Sequence, residues 1–303
     1  MSEHDFPEAS VDDGFEIIEA NPAPMPREAD VETLHQPGPQ AEKPRLCLMG
    51  EFSAGKSTLS NLLLGAPALP VNVTATQLPP VWISKGDELP YRVGLDDAEY
   101  DLELSQLNDV SVHDTSHVRV FQDAPFLEHC DLIDMPGISD PNMDAEVWQR
   151  VLPMADMIIW CTHATQAWRQ SEAAVWSMIP SELQSRSFLL LTRMDKILSD
   201  RDRSRVVKRV GREAGEFFAG LYPISLTQAM AGRENPERWV TSGGEAFYND
   251  LIDALGALRT KAEERQAAAE AERERNRPVA PTRIKPRPLS ARRPSRNSGH
   301  SAA

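Results

Sequence analysis

Cysteine is scarce in this chain of 303 residues. There are three, Cys47, Cys130 and Cys161, in or beside apolar strand-like runs. An odd number without a repeated spacing points to reduced core thiols in a cytosolic protein. Long apolar runs are also missing: none approaches the roughly 20 residues of a membrane-spanning helix. The opening Met-Ser-Glu-His-Asp has no basic region and no apolar core, so it does not read as a signal peptide. Positive charge is in short supply, with 32 Lys and Arg against 46 Asp and Glu and a formal net charge of −14. That argues against nucleic acid as a general partner, because phosphate backbones need a basic face. The expectation is a soluble cytoplasmic protein, with peripheral contact at the inner face of a membrane left open.

Against this background, one stretch is dense in glycine and hydroxyl groups. Residues 50–57 read Gly50-Glu51-Phe52-Ser53-Ala54-Gly55-Lys56-Ser57, a G-x-x-x-x-G-K-S phosphate-binding loop. Its flanks suit it. Residues 45–49 form a short apolar run, and Leu59, Leu62 and Leu63 follow at helical spacing. In a strand–loop–helix the loop N–H groups turn inward around a phosphate, and the helix start adds partial positive charge. Lys56 can reach the β- and γ-phosphates, and the Ser57 hydroxyl can ligate Mg²⁺.

The length suits one large domain or two small ones. Residues 1–43 carry eleven Asp and Glu against Arg27 and Lys43, with six prolines, and read as an acidic disordered arm. The folded part is expected from 44 to 258. Strands are expected at 80–84, 91–95, 117–122, 131–134, 157–161, 188–192 and 221–226. Helices are expected at 144–152, 171–178 and 201–219, with a polar, helix-like segment at 101–113. Strands alternating with helices imply an α/β fold with a mostly parallel central sheet flanked by helices, the P-loop NTPase arrangement. Ligand binding is expected at the C-terminal ends of the strands. In the helix expected over 245–276, Phe247, Leu251, Leu255 and Leu258 make a stripe that should pack on the domain. Residues 259–276 are Ala/Glu/Arg-rich without a stripe and read as solvated. Residues 277–303 hold seven Lys and Arg and no acid, and read as a basic Pro/Arg/Ser-rich disordered tail. The tail can bind an anionic membrane at roughly 1 kcal/mol per residue near the surface. It can equally be a solubilising end, or neutralise the acidic arm.

Further motifs fall at the ends of predicted strands. Asp134-Met135-Pro136-Gly137 can hold Mg²⁺ through Asp134 and present the Gly137 N–H to a γ-phosphate. Thr192-Arg193-Met194-Asp195 resembles the guanine-specificity motif N/T-K-x-D. A carboxylate at Asp195 accepts two hydrogen bonds from guanine N1 and N2, a donor pair adenine does not have. Arg193 stands where lysine is usual, and its stem and planar guanidinium can lie on the base. Ser225 ends the last expected strand, where GTPases place a short loop whose backbone touches the guanine oxygen. A mobile-loop threonine should ligate Mg²⁺ and position the attacking water. Thr74 and Thr76 are the candidates, and Thr76 is favoured because Gln77-Leu78-Pro79-Pro80-Val81-Trp82 follows it in a threonine-then-strand pattern.

Taken together, Gly50-Glu51-Phe52-Ser53-Ala54-Gly55-Lys56-Ser57-Thr58, the stretch 69–76, Asp134-Met135-Pro136-Gly137 and Thr192-Arg193-Met194-Asp195 resemble the dynamin-like GTPase superfamily over about residues 45–258. Residues Ala164 to Glu172 are similar to its bacterial members. The wide gap from Lys56 to Asp134 resembles the family's enlarged sheet. The resemblance implies Mg²⁺-dependent GTP hydrolysis. Lys56, Ser53, Thr76 and Gly137 would act on the γ-phosphate, and Ser57, Thr76 and Asp134 would hold the metal. Gly50 to Thr58 with Thr192, Arg193, Asp195 and Ser225 would bind the nucleotide. It also implies slow turnover stimulated by a G-domain homodimer or a heterologous partner, with a possible link to membrane remodelling. Phe52 departs from the family, where a polar residue, often Gln, is common. About forty residues follow Leu258, too few for a four-helix stalk. Arg169 reads as a surface residue that can act across a dimer. Two other readings stand beside hydrolysis: a non-hydrolysing GTP-gated interaction module, and a ribosome-associated GTPase.

Overall fold

The computed structural model describes residues 43–67, 78–138 and 145–275. The expectations for the N-terminal arm to residue 42, for the loop at 68–77 and for the tail from 276 lie outside these residues.

A nine-stranded sheet runs through the molecule in the order β4-β3-β5-β2-β6-β1-β7-β8-β9. Five strands, β6 (Asp131–Asp134), β1 (Arg45–Gly50), β7 (Met157–His163), β8 (Phe188–Thr192) and β9 (Gly220–Pro223), form its parallel part. The other half fills the gap between Lys56 and Asp134. There β2 (Val81–Ser84) runs antiparallel to β6 and parallel to β5 (Thr115–Phe121), while β3 (Tyr91–Gly94) is antiparallel to both β5 and β4 (Glu99–Asp101). The sheet is therefore mixed, though mostly parallel.

The strands read as apolar runs because both faces are covered. In β1, Leu46 and Leu48 face one core with Leu59, Leu62, Leu63, Phe247 and Leu251. Cys47 and Met49 face the other, with Trp148, Trp160, Trp176, Leu189 and Val210. The first core is closed by α1 (Lys56–Leu64) and α8 (Gly244–Arg275), the second by α2 (Ala145–Val151), α3 (Gln170–Trp176), α4 (Ser181–Gln184) and α5 (Asp200–Ala214). All three cysteines are buried and free, and burial pushes each thiol up.

Some expected boundaries shift. The segment at 101–113 holds a short 3₁₀ turn, Leu104–Asp109, preceded by the unpredicted edge strand β4. The last expected strand stops at Pro223 rather than 226. The Ser225 side chain accepts the Gln228 N–H and caps α6 (Leu226–Ala231), which α7 (Pro236–Thr241) follows. The expected helix at 201–219 ends as α-helix at Ala214 and closes in one 3₁₀ turn.

Candidate functional site

At the C-terminal edge of the parallel strands, β1 lies between β6 and β7 and delivers Gly50 into a tight loop. A Cβ on Gly50 would stand 2.2 Å from the Cys161 carbonyl oxygen, so only glycine fits this crossing. Gly55, at φ 99°, turns the loop into α1, where Leu59, Leu62 and Leu63 face the core. Lys56 is the first residue of that helix. The residue is 7% exposed, and its ammonium donates to the carbonyls of Gly50 and Glu51, each at 3.0 Å. Burial lowers the Lys56 pKa, while Asp134, Cys161 and Glu51 oppose that shift. Burial pushes Asp134 up to about 6, and the Lys56 charge pulls it back down. The two side chains therefore sense one another across the loop.

A cavity of about 250 Å³ opens above this pair. Phe52, Ser53, Gly55, Lys56, Ser57, Thr58, Asp134, Gly137 and Arg193 are among its lining residues. The loop at Phe52 and the turn at Gly137 are in direct apposition: a Cβ on Gly137 would meet the Phe52 Cα and N, both at 2.9 Å. Arg193, itself in the left-handed region at φ 56°, reaches over and donates to the Ser53 carbonyl at 2.7 Å.

Thr192 lies beneath the loop rather than in the cavity. Its buried hydroxyl stands 2.7 Å from the Ala54 carbonyl and 3.1 Å from that of Thr162. Asp195 and Ser225 face a second cavity, of about 430 Å³, lined also by Arg203, Lys208 and Gln228. There the Ser225 hydroxyl donates to Asp195 at 2.9 Å and fixes the carboxylate. Thr74 and Thr76 lie outside the described residues.

Among the described residues, the Ser57 hydroxyl and the Asp134 carboxylate line this cavity and could serve a divalent cation. Among the described residues no cluster of three or more His, Cys, Asp or Glu could hold a metal. Two hard oxygen donors at a phosphate-binding loop suit Mg²⁺, which keeps waters and substrate phosphates as its remaining ligands.

The side-chain contacts that shape the loop are invisible to motif reading. Glu51 turns its carboxylate out to Arg169 at 3.1 Å and to Ser171 at 2.6 Å. Glu172, 2% exposed, accepts from the Trp160 indole, the Thr162 hydroxyl and the Arg169 backbone N–H. The only sequence signal for this network is that Arg169 and Glu172 lie in or beside a stretch already set apart by its likeness to bacterial proteins.

Residues 46–194 match the model of the Dynamin family. Dynamin-like protein 2 of Campylobacter jejuni subsp. jejuni is 27% identical over 223 residues, covering 71% of this chain and 35% of that protein. Two solved chains of an oligomerised bacterial dynamin pair, described as a mechanism for long-range sensing and tethering of membranes, share the fold. One has a TM-score of 0.53 at 20% identity, covering 74% of this chain and 37% of its own. The second has a TM-score of 0.54 at 19% identity, covering 78% and 42%. This chain thus spans about a third of the length of the curated relative it matches. With the phosphate loop, the Asp134 turn and a nine-stranded sheet all in place, residues 46–194 resemble a dynamin-like G domain.

Proposed function

We propose that this protein binds GTP with Mg²⁺ and hydrolyses it. The observation that carries this reading is the cavity in which Lys56, Ser57, Asp134 and Gly137 meet at the strand ends. The loop N–H groups and Lys56 would cradle the β- and γ-phosphates and hold the charge that spreads over the γ-phosphate in the transition state. Ser57 and Asp134 would hold Mg²⁺, whose contribution when bound is to neutralise charge shared between the phosphates. The Gly137 N–H would face the γ-phosphate, so hydrolysis would release this turn from the loop it packs against. Asp195, fixed by Ser225, would accept from the guanine edge, and Arg193 would lie along the base. Ser53 and the threonine at 76 are assigned to bridging-oxygen contact and water positioning on family resemblance.

As the family resemblance implies, turnover would be raised by pairing of G domains or by a heterologous partner, and contact with a membrane would be peripheral. No helix among the described residues is long and apolar enough to cross a bilayer.

A second reading is GTP binding without turnover. Phe52 favours it: this side chain is 56% exposed at the cavity and has no polar group with which to orient water. Nucleotide binding and phosphate release with GTP and ATP, beside Lys56→Ala, separate the readings. The expected result is GTP-selective binding and measurable phosphate release, both lost in Lys56→Ala. Binding without release at any protein concentration would establish the switch. Equal use of ATP would remove the role given to Asp195.

A further inference from the structure

Glu51 is an anomaly within an anion-binding loop. Its backbone belongs to the cradle, since its carbonyl accepts from Lys56 and from the Ala54 N–H. Its side chain is an acid, and an uncompensated carboxylate beside a triphosphate would repel it. The structure shows what becomes of that charge. The side chain, 14% exposed, is directed away to the segment after β7, with one carboxylate oxygen 3.1 Å from Arg169 Nη1 and the other 2.6 Å from Ser171 Oγ.

The segment that receives it is itself fixed. Glu172 takes the Arg169 backbone N–H at 2.9 Å and anchors to β7 through Trp160 and Thr162, each at 3.0 Å. The Thr162 carbonyl and the Ala54 carbonyl in turn share the Thr192 hydroxyl. Arg169 is therefore presented to the loop by a buried framework that ends on the loop itself. Its side chain is 45% exposed, and an ion pair this open adds little to stability. Its effect lies in the charge balance at the cavity.

We propose that Arg169 is a positioning residue of the nucleotide site: it neutralises Glu51 and holds its carboxylate off the phosphates, so that the loop accepts a polyphosphate despite carrying an acid. This rests on the GTP reading above. It also gives Arg169 a role within its own chain.

The test measures affinities for a non-hydrolysable GTP analogue, GDP and GMP, and for the matching adenine nucleotides, by calorimetry. The proteins are wild type, Arg169→Ala, Arg169→Lys and Arg169→Ala combined with Glu51→Gln. Removing the arginine should weaken the triphosphate roughly tenfold, by unscreened repulsion in a partly desolvated site. GDP should lose less and GMP least, because the effect scales with ligand charge. Arg169→Lys should keep most of the affinity. Adding Glu51→Gln to Arg169→Ala should restore it, because the charge to be balanced has gone. A merely structural role predicts something else: an equal loss for all three nucleotides, with no rescue by Glu51→Gln. That result, or unchanged affinity in Arg169→Ala, overturns the proposal. If wild type prefers adenine nucleotides, the guanine reading fails while the charge series remains readable. If wild type binds neither, both fail.

Discussion

The Thr192 hydroxyl has one proton and two buried carbonyls beside it, Ala54 in the phosphate loop and Thr162 in β7. Replacing it with valine keeps the shape and removes the donor. A buried acceptor stripped of its partner costs about 1–3 kcal/mol. Thr192→Val should therefore lower stability by about that amount in urea titration, with Thr192→Ser close to wild type. The Thr192-Arg193-Met194-Asp195 motif resembles a guanine signature, but motif reading assigns its first residue to the nucleotide and cannot see a hydroxyl turned under the loop. His117 offers a separate check through pH. Burial holds its imidazole down to about 4, with the Arg119 charge adding to the effect and Asp97 opposing it. In the unfolded chain histidine titrates near 6.5, so the unfolded state takes up the proton first. The stability tied to neutral His117 is thus complete above about pH 6.5 and is lost as pH falls toward 4. Carboxylates also titrate in this window, so the comparison is between variants. His117→Gln should show a smaller drop in Tm from pH 7 to 5 than wild type. An equal drop would detach His117 from the acid sensitivity.

Helix α8 separates two kinds of sequence within one element. Phe247, Leu251 and Leu255 are almost wholly buried against the sheet, whereas most residues from Arg259 onward are exposed. Leu251→Ala should cost about 2–5 kcal/mol, since it opens a cavity in a closed core. Ending the chain at Lys261 should leave the unfolding midpoint of the domain almost unchanged. A large loss on truncation would mean that the distal half is packed in solution. Both halves were readable beforehand, because a stripe at helical spacing either persists or stops. The parallel strands were readable for a similar reason: Met157 to Cys161 and Phe188 to Leu191 are unbroken apolar runs. The weaker elements were not. β4 is three exposed residues, Glu99–Asp101, with no apolar pattern to mark it. The direction of β2 depends on which neighbour it meets across the sheet, and local sequence carries no record of that pairing. The shift at 223–226 follows from Ser225. A serine can end a strand or cap a helix, and here its side chain does both that capping and the fixing of Asp195.

Considered as a whole, the domain has its candidate site at the strand ends and leaves apolar side chains exposed there. Phe52 is 56% exposed at the phosphate cavity, and Leu198, three residues beyond Asp195, is 91% exposed. Phe52 lies within the phosphate loop, and Leu198 follows the Asp195 motif. If G domains pair over this edge, a second copy would cover these side chains and exclude water from the phosphates, which strengthens every charge interaction in the site. Turnover per molecule should then rise with protein concentration rather than stay flat. Leu198→Asp tests the geometry without touching a residue assigned to the nucleotide. In a pairing enzyme it should flatten the concentration dependence and lower the rate at high concentration, while affinity for a GTP analogue in dilute protein stays near wild type. Sedimentation with the analogue should show the matching loss of dimer. A wild-type rate per molecule that is constant over a hundredfold range of concentration would place any stimulation outside self-pairing, and would shift the search to a heterologous partner for the same exposed edge.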